Sequence, residues 1–206
     1  MPVSAPKPIP GAGLAAVSRE TRERLEVYAT LLRKWQPVIN LVGPRTLPDL
    51  WNRHFVDSAQ LHGIIPPNTQ TLVDLGSGAG FPGLVLAILG VPDVHLIESD
   101  QRKATFLREV ARATGASVTV HAARIEKVTP FHADVVSARA LAPLVDLLAL
   151  ASPFLDENSV CLFPKGQQAD DEVCTAAKTW NMAVDRIQSI TDPSASILRV
   201  SEVSRA

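Results

Sequence analysis

Two cysteines, Cys161 and Cys174, are all that the 206-residue chain carries. They stand too far apart for a C-x-x-C motif and match neither a zinc site nor a disulfide framework, so a reducing cytosol is the expected compartment. The five histidines form no H-x-x-x-H pair, and no metal site is expected. No stretch approaches the ~20 apolar residues that span a bilayer, so no membrane association is expected. The opening MPVSAPKPIPGAG lacks the unbroken apolar core of a signal peptide and reads as a disordered tail over residues 1–16. A surplus of charge is missing too: 20 Lys and Arg stand against 21 Asp and Glu, a net charge of −1. That balance argues against a strongly basic nucleic-acid coat. The charge is nevertheless uneven, with eight cationic and five acidic side chains in residues 1–60 and twelve against sixteen in the remainder. An amino-terminal part near +3 beside a body near −4 would orient a polyanion; a solvated helical face explains the same counts equally well.

What is there has the length and composition of one domain, with 46% hydrophobic residues. Ser18 to Gln36 predicts an amphipathic helix, with Leu25, Tyr28, Leu32 and Trp35 at three- and four-residue spacing, Ser18 as its cap and Pro37 as its stop. A second helix is predicted over Leu47–Leu61. Residues 17–65 therefore read as a helical cap, and 66–206 as the body. From Thr71 the pattern alternates: TLVDL, VHLIES, SVTVHA, ADVVSA and SVCLF are short apolar strands, as buried parallel strands should be. Helices are predicted between them over Phe81–Leu89, Arg102–Thr114, Pro143–Phe154 and Gln168–Trp180. Val184–Ile190 and Ile197–Val203 would add two antiparallel edge strands. The fold class is α/β, a doubly wound Rossmann-like sheet, with its ligand site at the carboxyl ends of the strands.

The stretch LVDLGSGAGFPG puts four glycines after the first strand. Gly78, Gly80 and Gly83 satisfy the dinucleotide fingerprint G-x-G-x-x-G, but this register leaves Gly76 unexplained. Read from Asp74, the glycines at 76, 78 and 80 are spaced by two, and an acid at the strand end suits a ligand with a cationic amino group better than a pyrophosphate. Pro82 would then fall in the first helical turn. Glu98 ends the second strand, where an acid receives ribose hydroxyls in NAD enzymes and methyltransferases alike. After the third strand, Ile125 would cover an adenine face and Glu126 would approach its exocyclic amine. Arg139 and Lys165 follow the fourth and fifth strands, suited to a carboxylate or a phosphate. His54 and Asp57 share a helix face. These residues alone point to a nucleoside-type cofactor. They leave open a methyltransferase acting on a small molecule or protein, an NAD-dependent oxidoreductase, and a non-catalytic nucleotide-binding module.

The combination of LLRKWQPVINLVG, RHFVDSAQL, LVDLGSGAGFPG, LIESDQRKATFLREV, SARALAPL and FPKG resembles the ribosomal RNA small-subunit methyltransferase G family (RsmG, or GidB). The resemblance implies a seven-stranded S-adenosylmethionine-dependent methyltransferase fold and methylation of N7 of one guanine in 16S ribosomal RNA. It places cofactor contacts at Gly76, Phe81, Ile125, Glu126 and Arg139; general methyltransferase logic adds Asp74, Gly78 and Glu98. Arg139, Lys165, His54 and Asp57 are candidates for positioning the reactants. The expected partner is 16S RNA, in the small ribosomal subunit or an assembly intermediate, met in the cytoplasm by a monomeric chain. Arg19, Arg22, Arg24, Arg33, Lys34, Arg45 and Arg53 are candidate phosphate contacts. Guanine N7 already presents a lone pair, so the absence of an obvious general base agrees with this chemistry.

Overall fold

A computed structural model describes Leu14 and residues 17–206. The tail reading lies outside the described residues except at Leu14, which is buried and accepts a hydrogen bond from the Arg22 guanidinium. Helix α1 (Arg19–Trp35) starts where its sequence says it should, with the Ser18 hydroxyl accepting from the Thr21 amide at 3.1 Å. Leu25, Tyr28, Ala29 and Leu32 form its buried stripe.

The second predicted helix is not one helix. A 3₁₀ stretch (Pro44–Asp49) leads to a π-helical turn (Trp51–Val56), a single α-turn, α2 (Asp57–Ala59), and another 3₁₀ stretch (Gln60–Ile64). Pro48 inside the first piece has no amide hydrogen to give an α-helical ladder. The widened π turn carries Arg53 and His54, directly before Asp57.

The remaining elements are β1 (Thr71–Leu75), α3 (Gly83–Ile88), β2 (Asp93–Ile97), α4 (Gln101–Thr114), β3 (Val118–His121), β4 (Val135–Ser137), α5 (Leu144–Ala151), β5 (Val160–Lys165), α6 (Ala169–Ala176), β6 (Trp180–Gln188) and β7 (Ser196–Arg205). They build one seven-stranded sheet in the order β3-β2-β1-β4-β5-β7-β6. The first five strands of that order run parallel; β7 lies antiparallel between β5 and β6. The chain reverses its direction of travel across the sheet between β1 and β4, which sets the ligand crevice at their carboxyl ends.

Three predicted boundaries move. Pro82 stands before α3 instead of in its first turn, and its carbonyl accepts from the Leu86 amide at 3.1 Å. The sixth helix stops at Ala176, and Trp180 opens β6 with the Arg205 guanidinium 3.9 Å over its ring. Strand β7 runs on to Arg205, past a register shift where Glu202 has φ 56°. Helices α1, α3 and α4 share one core on one sheet face, joining Tyr28 and Leu32 to Leu84, Phe106 and Leu107. The other face is covered by α5 and α6 around Leu147, Phe154 and Phe163.

Candidate active site

At the carboxyl ends of β1, β2, β4 and β5 lies a cleft of about 1360 Å³. Its wall includes Gly76, Gly78, Phe81, Glu98, Ile125, Glu126, Arg139, Lys165, His54 and Asp57, so the structure brings nearly all the candidate residues to one cavity. Asp74 is the exception: it lies fully buried beneath the turn.

The turn after β1 has positive φ at Gly76, Gly78 and Gly80, which is the two-residue spacing read from Asp74. Gly83 does a different job. A Cβ there would come within 2.6 Å of Asp74 Cβ and Leu96 Cδ2, so its lack of a side chain lets α3 press onto β1 and β2. Three of the turn's amides are committed within the protein. Ser77 donates to the Ile97 carbonyl, Gly78 to Glu98 Oε2 at 2.8 Å, and Gly80 to the Ser77 carbonyl. Glu98 also accepts from the Asp100 amide through Oε1 at 2.7 Å, so its carboxylate splices the ends of two loops.

Asp74 Oδ1 accepts from Ser137 Oγ at 2.7 Å across the β1–β4 pair, while Oδ2 is buried with no hydrogen bond of normal geometry. Burial pushes this carboxyl up to about 6, against the pull of Ser137, Ser77, the Gly83 amide and the Arg139 charge. The acid therefore lies beneath the turn at the floor of the cleft, with one oxygen tied to β4 and the other without a hydrogen-bond partner among the described residues. Tyr28, read from sequence only as part of a helix stripe, has a second task. Burial holds its phenol well above the ordinary value, so it stays protonated and donates to the Ala79 carbonyl in the middle of the turn. Its ring stacks on Phe81 at 5.2 Å. Phe81 itself is buried among Tyr28, Phe55 and His54, so it lacks an open face on which a base could stack.

Arg139 leaves the end of β4 and lies 5.1 Å over Phe81. Its Nη1 donates to the Arg53 carbonyl and to Asp57 Oδ2, both at 3.1 Å, and its Nη2 to His54 Nδ1 at 2.8 Å. A guanidinium has only donors, so His54 Nδ1 is the acceptor and Nε2 carries the proton. Nε2 then donates to Thr46 Oγ1 at 2.7 Å, which donates to the Gly43 carbonyl at 2.8 Å. Burial, then the Arg139 and Arg53 charges, push the His54 imidazole down to about 4, so it is neutral at physiological pH.

Lys165 lines the cleft but is committed elsewhere. Its Nζ donates to the Ala142 carbonyl at 2.8 Å and to Glu172 Oε2 at 2.7 Å, and the same oxygen accepts from the Leu144 amide. It shapes the loop after β4, in which Ala140 has φ 53° and Leu141 sits over Gly76.

Asp74 and His54 bias stability with pH in opposite senses. A buried carboxyl raised from 3.8 to about 6 adds stability below 3.8 that is lost as pH rises to 6. An imidazole lowered from 6.5 to about 4 adds none above 6.5 and costs stability as pH falls to 4. Between about pH 4 and 6 the two slopes oppose each other. Urea unfolding should therefore show His54→Gln losing stability as pH rises from 4.5 to 6, relative to the parent, and Asp74→Asn gaining it.

Comparison with known proteins agrees with this geometry. The family model described as rRNA small subunit methyltransferase G matches residues 21–197. Ribosomal RNA small subunit methyltransferase G of Rhodospirillum centenum is 62% identical over 188 residues, spanning 91% of this chain and 87% of that protein. The protein of the same name from Paramagnetospirillum magneticum is 60% identical, spanning 93% of each. Among solved structures, ribosomal protein L11 methylase from Lactobacillus delbrueckii shares the fold at a TM-score of 0.60 and 16% identity, over 72% of this chain and 78% of that one. Magnesium protoporphyrin IX methyltransferase from Synechocystis, solved with S-adenosylmethionine bound, does so at 0.59 and 13%, over 91% and 98%. The NAD reading falls here, on β7 inserted antiparallel beside β5 as well as on these matches. The chain belongs to the ribosomal RNA small-subunit methyltransferase G family, S-adenosylmethionine-dependent enzymes that methylate small-subunit ribosomal RNA.

Proposed function

We propose that this chain methylates N7 of a single guanine in 16S RNA, with the cofactor lying across the turn after β1. The observation that carries this reading is the state of Arg139. Three of its N–H donors are engaged by Arg53, Asp57 and His54. Of the five that a guanidinium has, Nε–H and one Nη2–H remain, the number a carboxylate takes as a fork. The cofactor's methionine carboxylate suits that fork. Gly78 offers bare backbone to the cleft, since a Cβ there would meet nothing nearer than the Gly76 carbonyl at 3.8 Å. Glu98 retains lone pairs for ribose hydroxyls, and half-buried Ile125 beside exposed Glu126 suits an adenine and its amine.

Bound S-adenosylmethionine supplies an electrophilic methyl group on a sulfonium. The protein's share is alignment and exclusion of water, because guanine N7 needs no deprotonation before attack. The nitrogens and oxygens of His54, Asp57 and Lys165 fit that division of labour: all three groups are committed to other protein groups and none stands ready as a base.

RNA capture falls to exposed cations outside the cleft. Of the seven candidate cations, Arg19 pairs with Glu23, Arg53 with Asp192, and Arg22 and Arg24 donate to the Leu14 and Thr114 carbonyls. Arg33, Lys34 and Arg45 are exposed with no partner among the described residues, and these are the phosphate contacts we assign. No helix among the described residues is long and apolar enough to cross a membrane, which fits action in the cytoplasm, where subunits are assembled. Labelled methyl transfer to small subunits from a strain lacking this protein, followed by nucleoside mass spectrometry, tests the reading. N7-methylguanosine in 16S RNA alone is the expected product, with the Arg33→Ala/Lys34→Ala variant needing roughly tenfold more subunit for half-maximal rate. Transfer to no RNA, with cofactor binding intact, would move the search to small-molecule acceptors.

A further inference from the structure

Three loops remote in sequence meet at Asp57. Its Oδ2 takes the Arg139 bond; its Oδ1 accepts from Gln60 Nε2 at 2.9 Å and from Thr191 Oγ1 at 2.7 Å. Thr191 belongs to the connection between β6 and β7. The protons in this cluster have only one consistent arrangement. Gln60 Oε1 accepts from the Ile190 amide at 3.0 Å, which fixes the orientation of the side-chain amide and leaves both its hydrogens to Asp57 and Ser189 Oγ. Ser189 Oγ, already accepting from Gln60 and from the Thr191 amide, donates to Thr191 Oγ1 at 3.0 Å. Thr191 must then spend its own proton on the Asp57 carboxylate. Gln60 is fully buried and Ser189 nearly so, which keeps water from replacing these bonds cheaply. A second tie runs beside the first, from Arg53 Nη1 to Asp192 Oδ2 at 3.3 Å.

We propose that Gln60 and Thr191 are positioning residues for the reaction, which act through Asp57 to hold Arg139 in the orientation that leaves its two spare donors facing the cleft. The last hairpin of the sheet is thereby wired into the cofactor site, although no residue of β6 or β7 needs to touch the cofactor. This inference rests on the proposed contact between Arg139 and the cofactor. A carboxylate bonded on one oxygen only is free to rotate; bonded on both, it presents Oδ2 in one direction.

The test is a double-mutant cycle on the full chain. Thr191→Val keeps the side-chain shape and deletes the proton; Thr191→Ser keeps the proton. S-adenosylhomocysteine affinity is measured by calorimetry, and kcat and KM with small subunits by methyl transfer, each in the parent and in the Arg139→Ala background. Thr191→Val should weaken cofactor affinity roughly three- to tenfold in the parent, Thr191→Ser should restore it, and in Arg139→Ala neither should matter. An equal loss in both backgrounds, or a serine variant as impaired as valine, overturns the proposal. Arg139→Ala binding the cofactor like the parent would instead remove the cofactor reading of Arg139. The proposal would then stand or fall on whether the cycle in kcat/KM shows coupling.

Discussion

Arg139→Ala should lower kcat/KM for methyl transfer by about 100-fold, with cofactor affinity falling in step. Losing a fork of charge-assisted hydrogen bonds to a carboxylate is worth on the order of 2–3 kcal/mol in a partly buried site. The side chain is well suited to give that much: it is 18% exposed, lies over Phe81, and three of its donors are spent on protein groups that fix its plane. Arg139→Lys preserves the charge but has three donors where the site uses five, so it should recover only part of the loss. Calorimetric titration with S-adenosylhomocysteine, alongside initial rates at saturating subunit, separates the steps. A variant that binds cofactor normally and fails only at RNA would place this guanidinium on the substrate side.

Gly80→Ala should destabilise the protein by about 3 kcal/mol, combining a strained backbone with crowding. Gly80 has φ 95°, and a Cβ there would approach Tyr28 Oη to 2.7 Å, Leu84 Cβ to 2.9 Å and Leu107 Cδ2 to 3.0 Å. Tyr28 cannot swing aside, because its ring is packed between Phe55 and Phe81 and its hydroxyl holds the Ala79 carbonyl. For a chain of this length the thermal midpoint should fall by roughly 6–12 °C. Gly90 is the control. It has φ 110° but no atom within 4 Å of an added Cβ, so Gly90→Ala isolates the backbone cost and should lose about 1 kcal/mol. Equal losses at the two positions in a scanning calorimeter would mean that packing against Tyr28 contributes nothing.

The parallel strands were legible in the sequence because each is short, β-branched-rich and mostly apolar, and Ser18 and Pro37 bracket α1 as their chemistry requires. The positions of Glu98, Ile125, Glu126 and Arg139 follow from counting strand ends. What escaped is what depends on tertiary partners. The stretch 47–61 reads as one helix by its periodicity, but Pro48 and the π turn break it into pieces that no periodicity reveals. Asp74 reads from sequence as an acid at a strand end, and only the sheet shows Ser137 beside it and Gly83 against it. Lys165 reads as a free cation until α6 brings Glu172 to it. Gln60 and Thr191 lie 131 positions apart, and nothing local marks either of them. Tyr28 had the right burial and an unsuspected use for its hydroxyl.

Three cations of the cleft come with anions already in place, Asp57 for Arg139, Glu172 for Lys165 and Asp192 for Arg53, and Glu98, Glu126 and Asp171 line it beside Lys103 and Arg124. Nucleic acid entering such a cavity displaces few of its condensed counterions there, because little uncompensated positive charge awaits it. The entropy of ion release, which makes basic proteins adhere to any phosphate chain, is thus left to exposed cations outside the cleft, such as the Arg33, Lys34 and Arg45 that we assign to phosphate. Discrimination inside then rests on shape and hydrogen bonding, which dissolved salt hardly weakens, while encounter outside is governed by ionic strength. An enzyme arranged this way lets go of wrong RNA quickly, which matters in a cell where almost every RNA it meets is the wrong one.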